Sequence, residues 1–184
     1  MKYLVSTLLF LLLFSCENNN EPVQSTIIEG ESTVKTDSLS FFSFKTGKAL
    51  GYPIDENISD VFSTMVFIHE SGEPIGIGFV TAMDYVTFSV LFPGNESHID
   101  NLDTALKIFD TLSIIDKNLS YSSAIVVYQS QVIAVKTKEN KYALMVITDS
   151  KYYRDTTIAD YESYKGYVTF KWKYQTNGSR NFNY

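Results

Sequence analysis

Thiols and imidazoles are almost missing from this chain. One cysteine, Cys16, and two histidines, His69 and His98, stand among 184 residues. A lone cysteine cannot close an internal disulfide, so no covalent staple is expected. A structural zinc site, which draws on several Cys and His ligands, lacks its donors. Nucleophilic catalysis usually sets a thiol or hydroxyl beside a base, most often histidine. No Gly-x-Ser-x-Gly elbow, P-loop or His-Glu-x-x-His stretch occurs. A carboxylate pair for glycoside hydrolysis would have to assemble in space from scattered Asp and Glu, which ordinarily are solvated charges. These absences favour a binding module over an enzyme. Positive charge is short as well: 15 Lys and Arg against 21 Asp and Glu give a formal net charge of −6. An acidic chain without a basic run argues against nucleic acid as a partner.

Long apolar runs are scarce too. The one run of note lies at the start, from Leu4 to Phe14, interrupted only by Ser6 and Thr7. At about 11 residues it is too short to span the ~30 Å hydrocarbon core of a bilayer. Lys2 before it and Ser15 after it give the basic start and small residue of a secretory signal peptide, residues 1–15. Leu13-Phe14-Ser15-Cys16 resembles the lipobox of bacterial lipoprotein signals, in which the cysteine thiol receives a diacylglyceryl group. On that reading Cys16 becomes the lipidated N-terminus and the lipid bilayer is a partner through several acyl chains, which anchor more firmly than one. Glu17 follows where inner-membrane retention signals carry Asp, so the expected location is the outer membrane.

Residues 16–38 then read as the lipidated Cys and a flexible tether, because the polar stretch from Glu17 to Pro22 cannot join a core. Within it only Ile27-Ile28 looks like a candidate first strand. Residues 39–184 carry the strand signals of one all-β domain. In Tyr167–Tyr174, Val168, Phe170, Trp172 and Tyr174 share one face; Tyr167, Thr169, Lys171 and Lys173 share the other, which is expected to be wet. Val132–Lys136 and Tyr142–Thr148 flank a short polar turn and make a hairpin. Further strands are expected at Leu39–Lys45, Val61–His69, Ile75–Thr81, Tyr85–Phe92 and Ser122–Tyr128. Leu102, Leu106, Phe109 and Ile115 recur near helical spacing, so one short helix is expected between Asp100 and Asp116, with Asp100 or Asn101 as its cap. The sum is a mostly β fold: an antiparallel β-sandwich or curled sheet of hairpins with one short helix.

Several of these runs carry a family likeness. Val132-Ile133-Ala134-Val135-Lys136-Thr137, a charged turn, and Lys141 to Thr148 resemble the closing hairpin of the HmuY-like lipoproteins of Bacteroidetes-type bacteria. Gly166 to Gln175 resembles their final strand, and Phe41-Phe42-Ser43-Phe44-Lys45-Thr46-Gly47-Lys48 their first strand and turn. The resemblance implies an all-β, lipid-anchored protein that binds haem at the cell surface for iron acquisition and hands it to an outer-membrane transporter. It implies two axial side chains on the iron, His in some members and Met in others, with no metal beyond that haem iron.

Under that expectation the candidate axial ligands are His98, in the polar loop before the helix, His69, at a strand end beside a turn, and Met83, in a turn. Met65 shares a strand face with His69, but at ~3.3 Å per residue the two lie about 13 Å apart, so at most one could ligate. Met145 shares a face with Ala143 and Ile147 and reads as core. Lys151, Tyr152, Tyr153 and Arg154 are candidate contacts for the haem propionates. The alternative expectation keeps the lipid anchor and the sandwich, without a haem site, and gives it a protein or glycan partner.

Overall fold

The computed structural model describes residues 27–36, 41–51, 60–81, 84–92, 102–156 and 163–183. Its elements in chain order are β1 (Ile27–Lys35), β2 (Phe41–Ser43), β3 (Lys48–Leu50), β4 (Val61–Ile68), β5 (Pro74–Thr81), β6 (Val86–Phe92), α1 (Leu102–Thr111), β7 (Ala124–Val126), β8 (Val132–Thr137), β9 (Tyr142–Asp155) and β10 (Ser163–Gln175). They form two five-stranded sheets, in the orders β1-β10-β9-β8-β6 and β3-β2-β4-β5-β7. Every strand pair is antiparallel. The chain is a β-sandwich with one short helix, as the alternation predicts.

The core between the sheets is a block of aromatic rings. Phe62 on β4 meets Phe79 on β5 at 4.7 Å between ring centroids, and Phe42 on β2 meets Phe170 on β10 at 5.1 Å, edge to face. Such pairs add about 0.5–1.5 kcal/mol each beyond the area they bury. Trp172 packs on Phe42 and donates its ring N–H to the Ser32 hydroxyl at 3.2 Å. The inward row Val168, Phe170, Trp172 and Tyr174 is buried throughout.

The opposite face of β10 departs from expectation. Lys171 is exposed, but Lys173 is 6 % exposed. Helix α1 lies over that face. The Lys173 ammonium sits 4.6 Å from the centre of the Phe109 ring and donates to the Phe109 carbonyl at 3.4 Å. Ala105 and Phe109 close a second apolar layer over Val132, Ala134, Leu144 and Val146. β8 and the first half of β9 are therefore dry on both faces, which explains their unbroken apolar runs. The helix is shorter than the span from Asp100 to Asp116. Ile115 is buried in the same layer from beyond the helix, next to the bridge between Ile114 and Asn181. The expected caps Asp100 and Asn101 lie outside the described residues.

Two boundaries are corrected. Part of the expected tether over 16–38 is strand: Ile27–Lys35 forms β1, so the sandwich begins before residue 39. The return strand of the hairpin does not stop at Thr148. The register with β10 shifts there, Ile147 facing Phe170 and Asp149 facing Thr169, and β9 then runs on to Asp155. Residues 150–155 are thus a strand arm on β10.

Asp60, just before β4, is buried. Its carboxylate accepts the Ser43 hydroxyl at 3.1 Å and the Lys45 amide at 2.5 Å. It therefore fixes the turn after β2, a role the sequence did not signal.

Candidate functional site

The two sheets stay together only part of the way along. Inside the core, Phe79 of β5 meets Phe170 of β10 at 5.7 Å. Two residues back on β5 and four back on β10, Ile77 lies against Gly166. A Cβ on Gly166 would come within 2.7 Å of the Ile77 Cδ1 atom and 2.4 Å of the Lys151 carbonyl oxygen. Glycine is what allows the sheets this close approach. The two contacts also give a direction: β5 and β10, followed backwards, leave the core at the same end. There the turn joining β4 to β5 and the arm of β9 and β10 project together.

At this end the inner rows of β4 and β9 run on into exposed residues, and a bulge leaves Ile75 outside the register of β5 with β4. Ile68 and Ile75 are 48 % and 51 % exposed, and Tyr152 is 39 % exposed. Tyr152 faces Gly166, and Arg154 faces Tyr164, in the register of β9 with β10. Tyr164 packs on the aromatic core. By alternation Tyr152 and Arg154 therefore lie on the inter-sheet side. Lys151 and Tyr153, facing Tyr167 and Lys165, lie on the other. Of the four candidate propionate contacts, two point toward the gap and two away from it. Asp155, buried at the end of the arm, pairs with Lys165 at 2.9 Å.

His69 belongs to the same end. It follows β4, is exposed, and takes part in the turn through its amide, which donates to the Glu73 carbonyl at 2.8 Å. Its Nδ1 atom lies 3.3 Å from the Ser71 amide and 3.2 Å from the Ser71 hydroxyl. When the amide donates to Nδ1, the ring proton sits on Nε2. When the proton moves to Nδ1, the Ser71 oxygen accepts it and the Nε2 lone pair turns outward. One serine thus serves both tautomers, and the second is the one a metal would need.

Met65 and Met145 do not join this end. Met65 is 44 % exposed and faces Gly78 on the outer side of the second sheet, while Met145 is fully buried in the core, as its face predicts. His98, Met83 and Cys16 lie outside the described residues. Among the described residues there is no group of three or more His, Cys, Asp and Glu that could hold a metal ion. A separate cleft of about 540 Å³ opens between α1, β1 and β10, lined by Glu29, Glu31, Asp110, Lys171 and Lys173 among others. Its lining sets charges of both signs beside Phe109 and Trp172 and holds neither His nor Met. Sequence reasoning missed Ile68, Ile75 and Ser71. The isoleucines fall inside expected strands, and the pattern cannot say where the opposite sheet ends.

No family model and no curated protein matches the chain. Among solved structures it is similar to the apo form of the HmuY analog of Tannerella forsythia. The TM-score is 0.42 at 11 % identity, over 82 % of this chain and 97 % of that one. The relationship is a distant structural one.

Proposed function

We propose that the chain is a lipid-anchored protein of the bacterial outer membrane that binds haem or a related porphyrin without catalysis and passes it to an outer-membrane transporter. The observation that carries this reading is that β5 and β10 leave the core at the same end, so that the arm bearing Tyr152 and Arg154 and the turn bearing His69 beside exposed Ile68 and Ile75 project from that end. The residues fit such a ligand in kind. His69 Nε2 would supply the axial nitrogen, with the Ser71 hydroxyl accepting the proton of Nδ1. Arg154 would meet a propionate, and the isoleucines and Tyr152 would line the apolar faces. The strand resemblance and the lipobox at Cys16 support the same reading.

Titrating the full chain carrying Cys16→Ser with haemin tests it. A Soret shift that saturates at one haemin per chain is expected. It should be lost in His69→Ala and weakened about tenfold in Ser71→Ala. No shift in either redox state at micromolar protein overturns the porphyrin reading.

One observation favours a second reading, a protein or glycan partner at the same end. Among the described residues, the other candidate donors are Met65, on the outer side of the second sheet, and Met145, in the core. An exposed cluster of Ile and Tyr is also what a protein-contact patch looks like. A haemin-silent protein whose partner binding falls in Tyr152→Ala would support this reading.

A further inference from the structure

The arm of β9 and β10 carries three tyrosines among the described residues, and the register sorts them. Tyr153 faces Lys165 on the outer side of the arm. Tyr164 is on the inner side but packs on the aromatic core. Tyr152 faces Gly166 on the inner side and is 39 % exposed.

The neighbours of Tyr152 bar it from one direction. A Cβ on Gly166 would lie 3.0 Å from the Tyr152 Cα atom and 2.7 Å from the Ile77 Cδ1 atom, so the Ile77 side chain fills the space beside the Tyr152 backbone. Ile77 is buried, and the rings of Phe79 and Phe170 close the core behind it. The partly wet phenol of Tyr152 therefore lies outward of Ile77, toward the end from which the His69 turn projects.

The register also sets the distance between the two residues. Ile77 faces Val66 on β4, and His69 follows Val66 by three residues. At ~3.3 Å per residue His69 stands about 10 Å farther out than Tyr152, on the facing sheet. Packed sheets lie about 10 Å apart, so the two Cα atoms are about 14 Å apart. A phenol and an imidazole reaching from opposite sides span that distance with one metal ion between their donor atoms.

We infer that Tyr152 is the second axial ligand of the haem iron, across the metal from His69. The assignment rests on the porphyrin reading and names the donor which that reading lacks. It differs from the paired His or Met that the strand resemblance implies. Tyrosine oxygen is an axial donor that haem iron accepts. As ferric iron binds, the phenol O–H bond breaks, the oxygen–iron bond forms, and the proton leaves to solvent. Arg154, two residues farther along the same side of β9, adds a positive charge that favours the phenolate. The ring lines the gap and the oxygen meets the metal. An anionic oxygen also holds ferric iron better than ferrous, because reduction removes one unit of positive charge from the metal. Reduction is thus the event that loosens the site.

Haemin titration of the full chain carrying Cys16→Ser, read by absorption and resonance Raman spectra, tests the assignment. The ferric complex should show a phenolate-to-iron charge-transfer band and the phenolate vibrations that excitation in that band enhances. Tyr152→Phe should lose both and still shift the Soret band through His69. Tyr152→His should replace them with the low-spin spectrum of two axial nitrogens. Tyr153→Phe, on the other side of the arm, should keep both. Haem transfer to excess apomyoglobin should be faster after dithionite reduction in the parent, and the difference should vanish in Tyr152→His. A Soret shift without phenolate signals, or signals that persist in Tyr152→Phe, overturns the ligand and leaves the porphyrin reading standing. No Soret shift in either redox state overturns both.

Discussion

The two ends of the sandwich are written in the same alternating pattern yet end in opposite states. At the closed end Phe42, Phe62, Phe79 and Phe170 are fully buried against one another. At the open end the inward rows of β4 and β9 continue into Ile68 and Tyr152, and these, with Ile75 in the bulge opposite Ile68, are each between about two-fifths and half exposed. The difference is not composition but the presence of an opposing sheet. Gly166 marks a point of close contact near this end, where Ile77 still touches β10. Beyond it, side chains made for a core face a gap. On the proposed function, stability and binding are divided along single strands, so substitutions a few residues apart on one strand should have different kinds of effect.

The largest effect should come from the closed end. Phe62 touches the rings of Phe42, Phe44, Phe79, Phe88 and Phe170. Phe62→Ala should cost about 3–5 kcal/mol in denaturant unfolding, through lost burial and the cavity left behind. Haemin binding per folded molecule should be unchanged. Next comes the boundary. Gly166→Val would drive a side chain into the Lys151 carbonyl and Ile77, and should cost about 1–3 kcal/mol. Unlike the first, it should also weaken haemin binding, because it forces the sheets apart where the gap begins. At the open end, Ile68→Ser with Ile75→Ser should change stability by less than about 1 kcal/mol, since both side chains are half in water. The same pair should lower haemin affinity measured by titration. Equal losses of stability at both ends would erase the comparison.

The smallest effect is confined to alkaline pH and to the body of the fold. Burial pushes the Tyr121 phenol up to about 12, with Tyr142 adding to the shift and Arg180 opposing it. Unfolded tyrosine ionises near pH 10. Between these values the unfolded chain loses a proton that the folded chain keeps. This contribution to stability is therefore complete below about pH 10 and declines as pH rises toward 12. Tyr174 is raised too, first by burial and then by Asp60 and Glu139. The Tyr121 hydroxyl has no hydrogen-bond partner among the described residues. Tyr121→Phe should leave neutral stability unchanged or slightly higher and flatten part of the alkaline fall, as melting temperatures across pH 8 to 11.5 would show.

What could be read in advance followed from local pattern. The row Val168, Phe170, Trp172 and Tyr174 announced a buried face, and Leu102, Leu106 and Phe109 announced a helix. What could not be read depended on distant neighbours. Lys173 looked solvated because nothing near it in sequence says that α1 will fold over it. β1 looked like tether because two of its inward positions are small: Gly30 and Ser32 lie under the Trp172 ring, which already fills the space. The candidate site is legible in the sequence as residue types and not as a place. His69 and the stretch from Lys151 to Arg154 are candidates by their chemistry alone. Their shared end rests on β5 lying across from β10, a pairing of segments about 90 residues apart that no local signal records.

The pairing of β1 with β10 has a consequence for how the molecule comes together. The first of the described strands to leave the ribosome is matched to the last, with Trp172 bonded to Ser32 across 140 positions. Closing so long a loop comes late and slowly, after local hairpins have formed. Through all of that time β1 waits unpaired. A strand rich in large apolar residues would be an aggregation hazard in that interval. Glu29, Gly30, Glu31, Ser32 and Thr33 make it a strand that can wait, and the bulk it lacks is supplied at the end by a single tryptophan from the strand it was waiting for.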